Sequence, residues 1–352
     1  MSSSLALCSF GVRSCPCRAR SNRPANVLTS ALSRPGSFRP RPKRRRTRKI
    51  TGFPPVRRRP APHRVTAVAR QGTGRTAVMA DEVPQDSEEN AIPGIDLSTP
   101  SIARAYDYML GGKDNFAVDR ALVDHIVSEM PGSPALAIDN RAVLIRAIRE
   151  IVETTPVRQF LDLGSGLPSA ENVHQVAQRY ASESKVVYVD NDPIVLAHGR
   201  ALLAENENTV VFQADLREPK SIYDSPDTRA LIDFEKPVGI ILSAILHHLN
   251  DDENPAELVQ FWYDRVPSGS YFFVSHFRSA DDPRSIQLQE VVQQSIGRGR
   301  WRTDEEILGL LPEGLTVLPP GLVPASQWRP TDEAEEVTPW GRLIGAVLAV
   351  KP

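Results

Sequence analysis

Apolar positions change their spacing along the chain. Through residue 78 they follow no period, and from Ile102 they turn helical: Ile102, Ala105 with Tyr106, and Met109 recur every three or four positions. Thr99-Pro100 reads as the N-cap and first position of this helix, and Gly111-Gly112 as its stop. A second helix is predicted over about 117–129, ahead of Pro131-Gly132. A third is predicted over about 135–153, with Leu136, Val143, Leu144, Ala147, Ile148 and Ile151 on one face. Short continuous apolar runs follow: Gln159–Leu163, Lys185–Asp190, Thr209–Gln213, and then about 238–243 and 270–276. Helical patterns separate them, at about 169–181, 192–204, 226–233 and 254–265. Runs rich in Val, Ile and Leu fit strands buried on both faces, and strand–helix alternation implies right-handed crossovers into a parallel sheet. A helix at about 283–296, a capping box at Thr303 and Glu306, and late strands at about 315–318 and 342–350 complete the pattern.

Charge divides the chain more sharply than its formal net of −1 suggests. Residues 1–80 hold 19 of the 42 Lys and Arg and none of the 43 Asp and Glu, which leaves a body of 23 basic and 43 acidic residues, net −20. The expected organisation is a disordered basic arm and polar leader over 1–95, an N-terminal helical cap over 96–155, and a ligand-binding core over 156–352. Three readings of residues 1–78 stand: upstream sequence translated ahead of a true start at Met79, an organellar transit peptide, or a nucleic-acid arm. The abrupt acidic turn after Met79 favours the first. The longest apolar runs are about nine residues, too short to span a bilayer. All three cysteines (Cys8, Cys15, Cys17) lie in the arm, so the body has no disulfide, zinc–thiolate site or cysteine nucleophile. A cytoplasmic location is expected.

Candidate chemistry gathers at the carboxyl ends of the predicted strands, where open parallel sheets bind ligands. Asp162, Gly164, Ser165 and Gly166 follow the first strand, and the glycines allow a tight turn and close backbone approach. Asp190, 24 residues after Gly166, closes the second strand beside Asn191 and is placed to accept from ribose hydroxyls. With Asp192-Pro193 available as helix cap, Asp190 is expected to be free. Asp215 and Leu216 close the third strand, and an acid there can accept from the adenine amine. Ser243 closes the fourth, and His247 and His248 follow as candidate general bases. His276, ending the fifth strand, is a further candidate. The third glycine of a dinucleotide fingerprint is replaced by Ser169, and the turn carries no positive charge for a pyrophosphate. S-adenosylmethionine, which has no phosphate, suits an acidic crevice better. No metal cluster is expected; Asp251-Asp252-Glu253 reads as a solvated loop.

The body resembles the bacterial S-adenosyl methyltransferase family long catalogued as a domain of unknown function. The resemblance spans about 93–350 and rests on blocks running from Ser101 to Phe116, Arg158 to Pro168, Asn172 to Gln178, Val187 to His198 and Ala214 to Arg217. Asn140-Arg141, Pro267 to Tyr271, Ser275-His276, Arg302-Thr303 and Trp328 to Pro330 belong to it as well. It implies an α/β, Rossmann-like class I methyltransferase: a mostly parallel seven-stranded sheet, helices on both faces, and an N-terminal helical lid. It implies S-adenosylmethionine as cofactor and leaves the methyl acceptor open. Pro168 in place of the usual third glycine is shared by the family, whereas the basic arm has no counterpart there. In similar enzymes the helical segment covers the cofactor, which makes Tyr106, Gly112 and Arg141 candidates, Arg141 for the methionine carboxylate. The expected function is direct in-line methyl transfer to a small molecule. A cofactor-binding regulatory protein and a nucleotide-dependent oxidoreductase are the alternatives. Nucleic acid is not expected as a partner of so acidic a body, except through the basic arm, and the Asn/Asp-Pro-Pro-aromatic tetrad is missing after the fourth strand.

Overall fold

The computed structural model describes residues 96–169, 171–203, 206–279, 282–330 and 337–352. The expectations for the basic arm and polar leader lie outside the described residues. Contacts divide the chain into Met1–Ala80 and Asp81–Pro352, and every described residue belongs to the second unit.

Among the described residues three helices precede the first strand: α1 (Ile102–Met109), α2 (Ala117–Glu129) and α3 (Pro134–Thr154). The start of α1 differs from expectation. Its N-cap is Ser101, not Thr99, because the Thr99 carbonyl is taken by Arg104 Nη2 at 2.9 Å. Gly111 does end the helix, in the left-handed region at φ 80°.

Five parallel strands follow, β1 (Gln159–Leu163), β2 (Lys185–Asp190), β3 (Thr209–Gln213), β4 (Gly239–Ser243) and β5 (Tyr271–Phe277). They lie in the order β3-β2-β1-β4-β5, so the chain reverses its winding between β1 and β4. The antiparallel β8 (Ile344–Val350) pairs with β5, Phe273 opposite Leu348. Where seven strands are expected, the sheet of the described residues has eight. Beyond β8, β6 (Thr316–Val317) pairs at Ala349–Val350 and β7 (Val323–Pro324) at Gly345–Ala346. The outermost lane is broken in two because Pro319 and Pro320 offer no N–H to the ladder and Gly321 turns the chain at φ 88°.

Consecutive strand residues enter opposite cores. Phe160, Val186, Tyr188, Ile241 and Phe273 join α1–α3 and α4 (Val173–Tyr180) in one buried cluster. Leu161, Val187, Val189, Ile240 and Phe272 join α6 (Pro219–Asp224), α7 (Pro226–Leu231) and α8 (Pro255–Arg265) in the other. The two-residue side-chain period thus buries both faces. Helix α5 (Pro193–Leu203) follows β2, α9 (Pro283–Ile296) follows β5, and α10 (Asp304–Gly309) starts at the expected box, Thr303 Oγ1 accepting from Glu306 N at 3.2 Å. No helix of the described residues is long and apolar enough to cross a membrane.

Candidate active site

A cavity of about 500 Å³ opens at the winding reversal, outside the carboxyl ends of β1 and β4. Its floor is the β1 turn. Gly164 and Gly166 both take left-handed backbone, at φ 71° and 67°. A Cβ on Gly164 would meet Ile245 Cγ1 at 2.4 Å, so only glycine lets the turns after β1 and β4 close on each other. A Cβ on Gly166 would have no neighbour within 4 Å, which leaves a bare backbone cradle on the cavity wall.

Asp190 is not free as expected. Its Oδ2 accepts from Gly166 N at 2.8 Å and its Oδ1 from Asp192 N at 3.0 Å. The carboxylate therefore pins the glycine turn to the turn opening α5. A carboxylate has further acceptor capacity for a ligand, and burial, the dominant influence, raises the pKa against the backbone N–H groups that bond it. Asp192 caps α5 through Ile194 N at 2.9 Å and also accepts from Ser101 Oγ. Buried Arg104 of α1 stands 3.2 Å from Asp119 Oδ2 of α2 and 3.9 Å from Asp192 Oδ2, which ties the helical block to this same turn.

Asp162 is buried at the end of β1, and its carboxylate accepts no hydrogen bond among the described residues. Burial drives its pKa up to about 7, against the pull of Arg141 and with a push from Asp190. Arg141 of α3 gives Nη2 to the Glu171 carbonyl and to Asn172 Oδ1, while its buried Nε has no partner among the described residues. Asp162, Ser165, Gly166 and Arg141 also bound a side pocket of about 30 Å³.

The remaining expected positions separate. Ser165, Asn191, Asp215, Leu216, Ser243 and Tyr106 line the cavity; Gly112 does not. Gly112 has a packing role, since a Cβ there would sit 2.0 Å from Asp107 Oδ1, which belongs to a carboxylate bound by Asp114 N and Asn115 Nδ2. Asp215 is held by Arg217, two residues on, and this pairing lowers its pKa. The Asp251-Asp252-Glu253 loop is exposed at Asp251 and Asp252, as expected of a solvated loop, and it is ion-paired as well: Asp251 binds Arg300 and Arg302, and Glu253 binds Arg217 and Arg298. No metal-holding group is found among the described residues.

His247 is placed against the cavity in the wrong tautomer for a base. Its Nδ1 accepts from Phe277 N at 3.2 Å, so the neutral ring carries its proton on Nε2. Burial holds its pKa well below the ordinary value. His248 also lines the cavity; its Nδ1 is buried without a partner among the described residues, and burial lowers its pKa to about 4. His276 is structural: Nδ1 faces the Phe277 carbonyl at 2.6 Å and Nε2 faces Arg302 Nη1 at 3.1 Å.

A polar network missed by sequence reasoning lies between the helices and the ends of β4 and β5. Asn140 Nδ2 donates to Tyr106 Oη at 2.9 Å and Ser243 Oγ at 3.2 Å, its Oδ1 accepts from Ser275 Oγ, and Tyr106 donates to the Ala137 carbonyl at 3.0 Å. Ala244 follows in left-handed backbone at φ 51°, a strained conformation for a non-glycine residue, with its N–H bound 2.8 Å from Ser275 Oγ. One signal was available: parallel pairing of adjacent strands puts Ser243 opposite Ser275.

Winding order, glycine turn and strand-end acids together define a class I, Rossmann-like methyltransferase. The profile of the S-adenosyl methyltransferase family matches residues 88–352, and the chain belongs to that family. It is therefore an S-adenosylmethionine-dependent methyltransferase, and S-adenosylmethionine is its cofactor. Two crystal structures are similar over most of their length. A proposed methyltransferase of Thermobifida fusca YX is 42% identical, with a TM-score of 0.71, covering 74% of this chain and 97% of its own. A DUF574 family protein of Streptomyces avermitilis MA-4680 is 34% identical, with a TM-score of 0.69, covering 72% and 98%. No curated protein matches the chain.

Proposed function

We propose that the chain methylates a small molecule enclosed in the 500 Å³ cavity, by direct in-line transfer from S-adenosylmethionine. The observation that carries this reading is continuity: one cavity joins the glycine crevice to a chamber walled by helices. When bound, the cofactor supplies an electrophilic methyl: the acceptor lone pair bonds to its carbon as the C–S bond breaks, and that electron pair stays on sulfur.

The residues fit such a ligand. The bare backbone at Gly166 leaves room for it, the remaining lone pairs of Asp190 suit ribose hydroxyls, and the orphaned Arg141 Nε suits the methionine carboxylate. Asp162 ionises next to the methionine ammonium group. Asn191, Asp215 and Leu216 border the adenine side, where Asp215 receives the amine only by sharing its carboxylate with Arg217. Ser165 follows β1 and Ser243 closes β4, and with Tyr106 on the same lining they would flank the transferable methyl. His247 orients an acceptor through Nε2–H and takes no proton; a proton borne by the acceptor passes to water. Positioning then supplies most of the acceleration.

The test is calorimetric titration with S-adenosylmethionine, followed by transfer of labelled methyl to a cell extract separated by size. Label in the small-molecule fraction supports the reading. Label confined to macromolecules overturns it.

A further inference from the structure

The cavity has two chemically different ends. Its charged lining residues are engaged or belong to the cofactor end: Arg104 with Asp119, Arg298 with Glu253, Arg217 with Asp215 and Glu253. The opposite end is walled by Leu122 and Ile126 of α2, Leu136 of α3, and Leu288, Val292 and Ile296 of α9. These side chains belong to the buried core or pack against it, yet they face the cavity. A charged acceptor would lose its hydration against this wall and find no free counter-charge. One polar atom interrupts it. Ser133, 2% exposed and on the lining, has a buried hydroxyl with no hydrogen-bond partner among the described residues. The hydroxyls of Ser169, Ser184, Thr228 and Ser326 are unpaired in the same way, but of the five only Ser133 lines the cavity, which puts its free valence beside the space a ligand would fill.

We propose that the acceptor is an uncharged, lipophilic molecule that lies against α2 and α9, with a carbonyl or hydroxyl at its far end bonded to Ser133. This rests on the methyl-transfer reading above and names the substrate class of that site. The wall selects against charge, and the Ser133 hydroxyl sets which end of the molecule points to the methyl.

The test uses two naphthalene probes with the full chain saturated in S-adenosylhomocysteine. Prodan is uncharged and carries a ketone; 1-anilinonaphthalene-8-sulfonate is an anion. Prodan should bind at least about tenfold more tightly than the sulfonate. Val292→Phe, which fills the chamber without adding charge, should weaken prodan at least about tenfold and leave S-adenosylhomocysteine affinity within about twofold. Ser133→Ala should weaken prodan about threefold and shift its emission to the blue, as its ketone loses a hydrogen bond. Equal or tighter binding of the sulfonate, or prodan affinity indifferent to Val292→Phe or to Ser133→Ala, overturns the proposal. If S-adenosylhomocysteine itself does not bind, the methyl-transfer reading fails and takes the proposal with it. If it binds and the probes misbehave, only the acceptor class is wrong.

Discussion

The strand-end crevice and the helical chamber share one cavity but are built on different rules. The crevice is made of backbone and carboxylates: two left-handed glycines, a carboxylate that bonds two N–H groups, and a buried acid near neutrality. The chamber is made of aliphatic side chains from three helices that come together only through packing. Function at the first depends on backbone shape and charge, at the second on volume and dryness. Substitutions should therefore separate the two, affecting cofactor binding at one end and acceptor binding at the other.

The largest effect is expected at Gly164. Gly164→Val combines a disfavoured φ with a side chain driven into Ile245, and should cost about 2 kcal/mol or more in stability and abolish measurable cofactor binding. Thermal melting with and without S-adenosylmethionine reads both; a folded variant with normal affinity would break the contrast. Next is Asp190→Ala, which frees Gly166 N and Asp192 N together and should weaken the cofactor at least about tenfold, about 1.4 kcal/mol. Acceptor-chamber probes should still bind.

A smaller effect concerns pH. Burial keeps Asp162 protonated below its pKa of about 7, and the cationic cofactor prefers the ionised form. Affinity should rise with pH, by up to about tenfold between pH 6 and 8, and level off above. Asp162→Asn should flatten the profile, and binding at pH 6 should release a proton, visible as a buffer-dependent heat. An affinity that falls with rising pH would reverse the assignment. The smallest effect is at Arg217, about 40% exposed in its ion pairs; Arg217→Ala should change cofactor affinity by no more than about twofold, measured by the same titration.

The crevice was largely legible in the sequence, and the chamber was not. Strands β1, β2 and β3 read directly as apolar runs because both faces are buried, so polarity alone marks their ends. Gly164, Asp190 and Asp215 fall at those ends, one strand after another. The chamber draws Leu122, Leu136 and Val292 from helices far apart in sequence, where a cavity-facing leucine and a core leucine look alike. The tautomer of His247 was equally hidden, because it depends on a backbone N–H thirty residues away. That Asp190 also holds backbone was hidden for the same kind of reason: Asp192 is a sufficient helix cap in sequence, and only the folded turn shows that both acids accept N–H groups.

If the glycine turn and Asp190 form the seat of an adenosyl group, a crystal structure with S-adenosylhomocysteine should show adenosine density over Gly166, ribose hydroxyls on Asp190, and the homocysteine carboxylate at Arg141. An empty crevice at saturating ligand, or the nucleoside bound elsewhere, would contradict it.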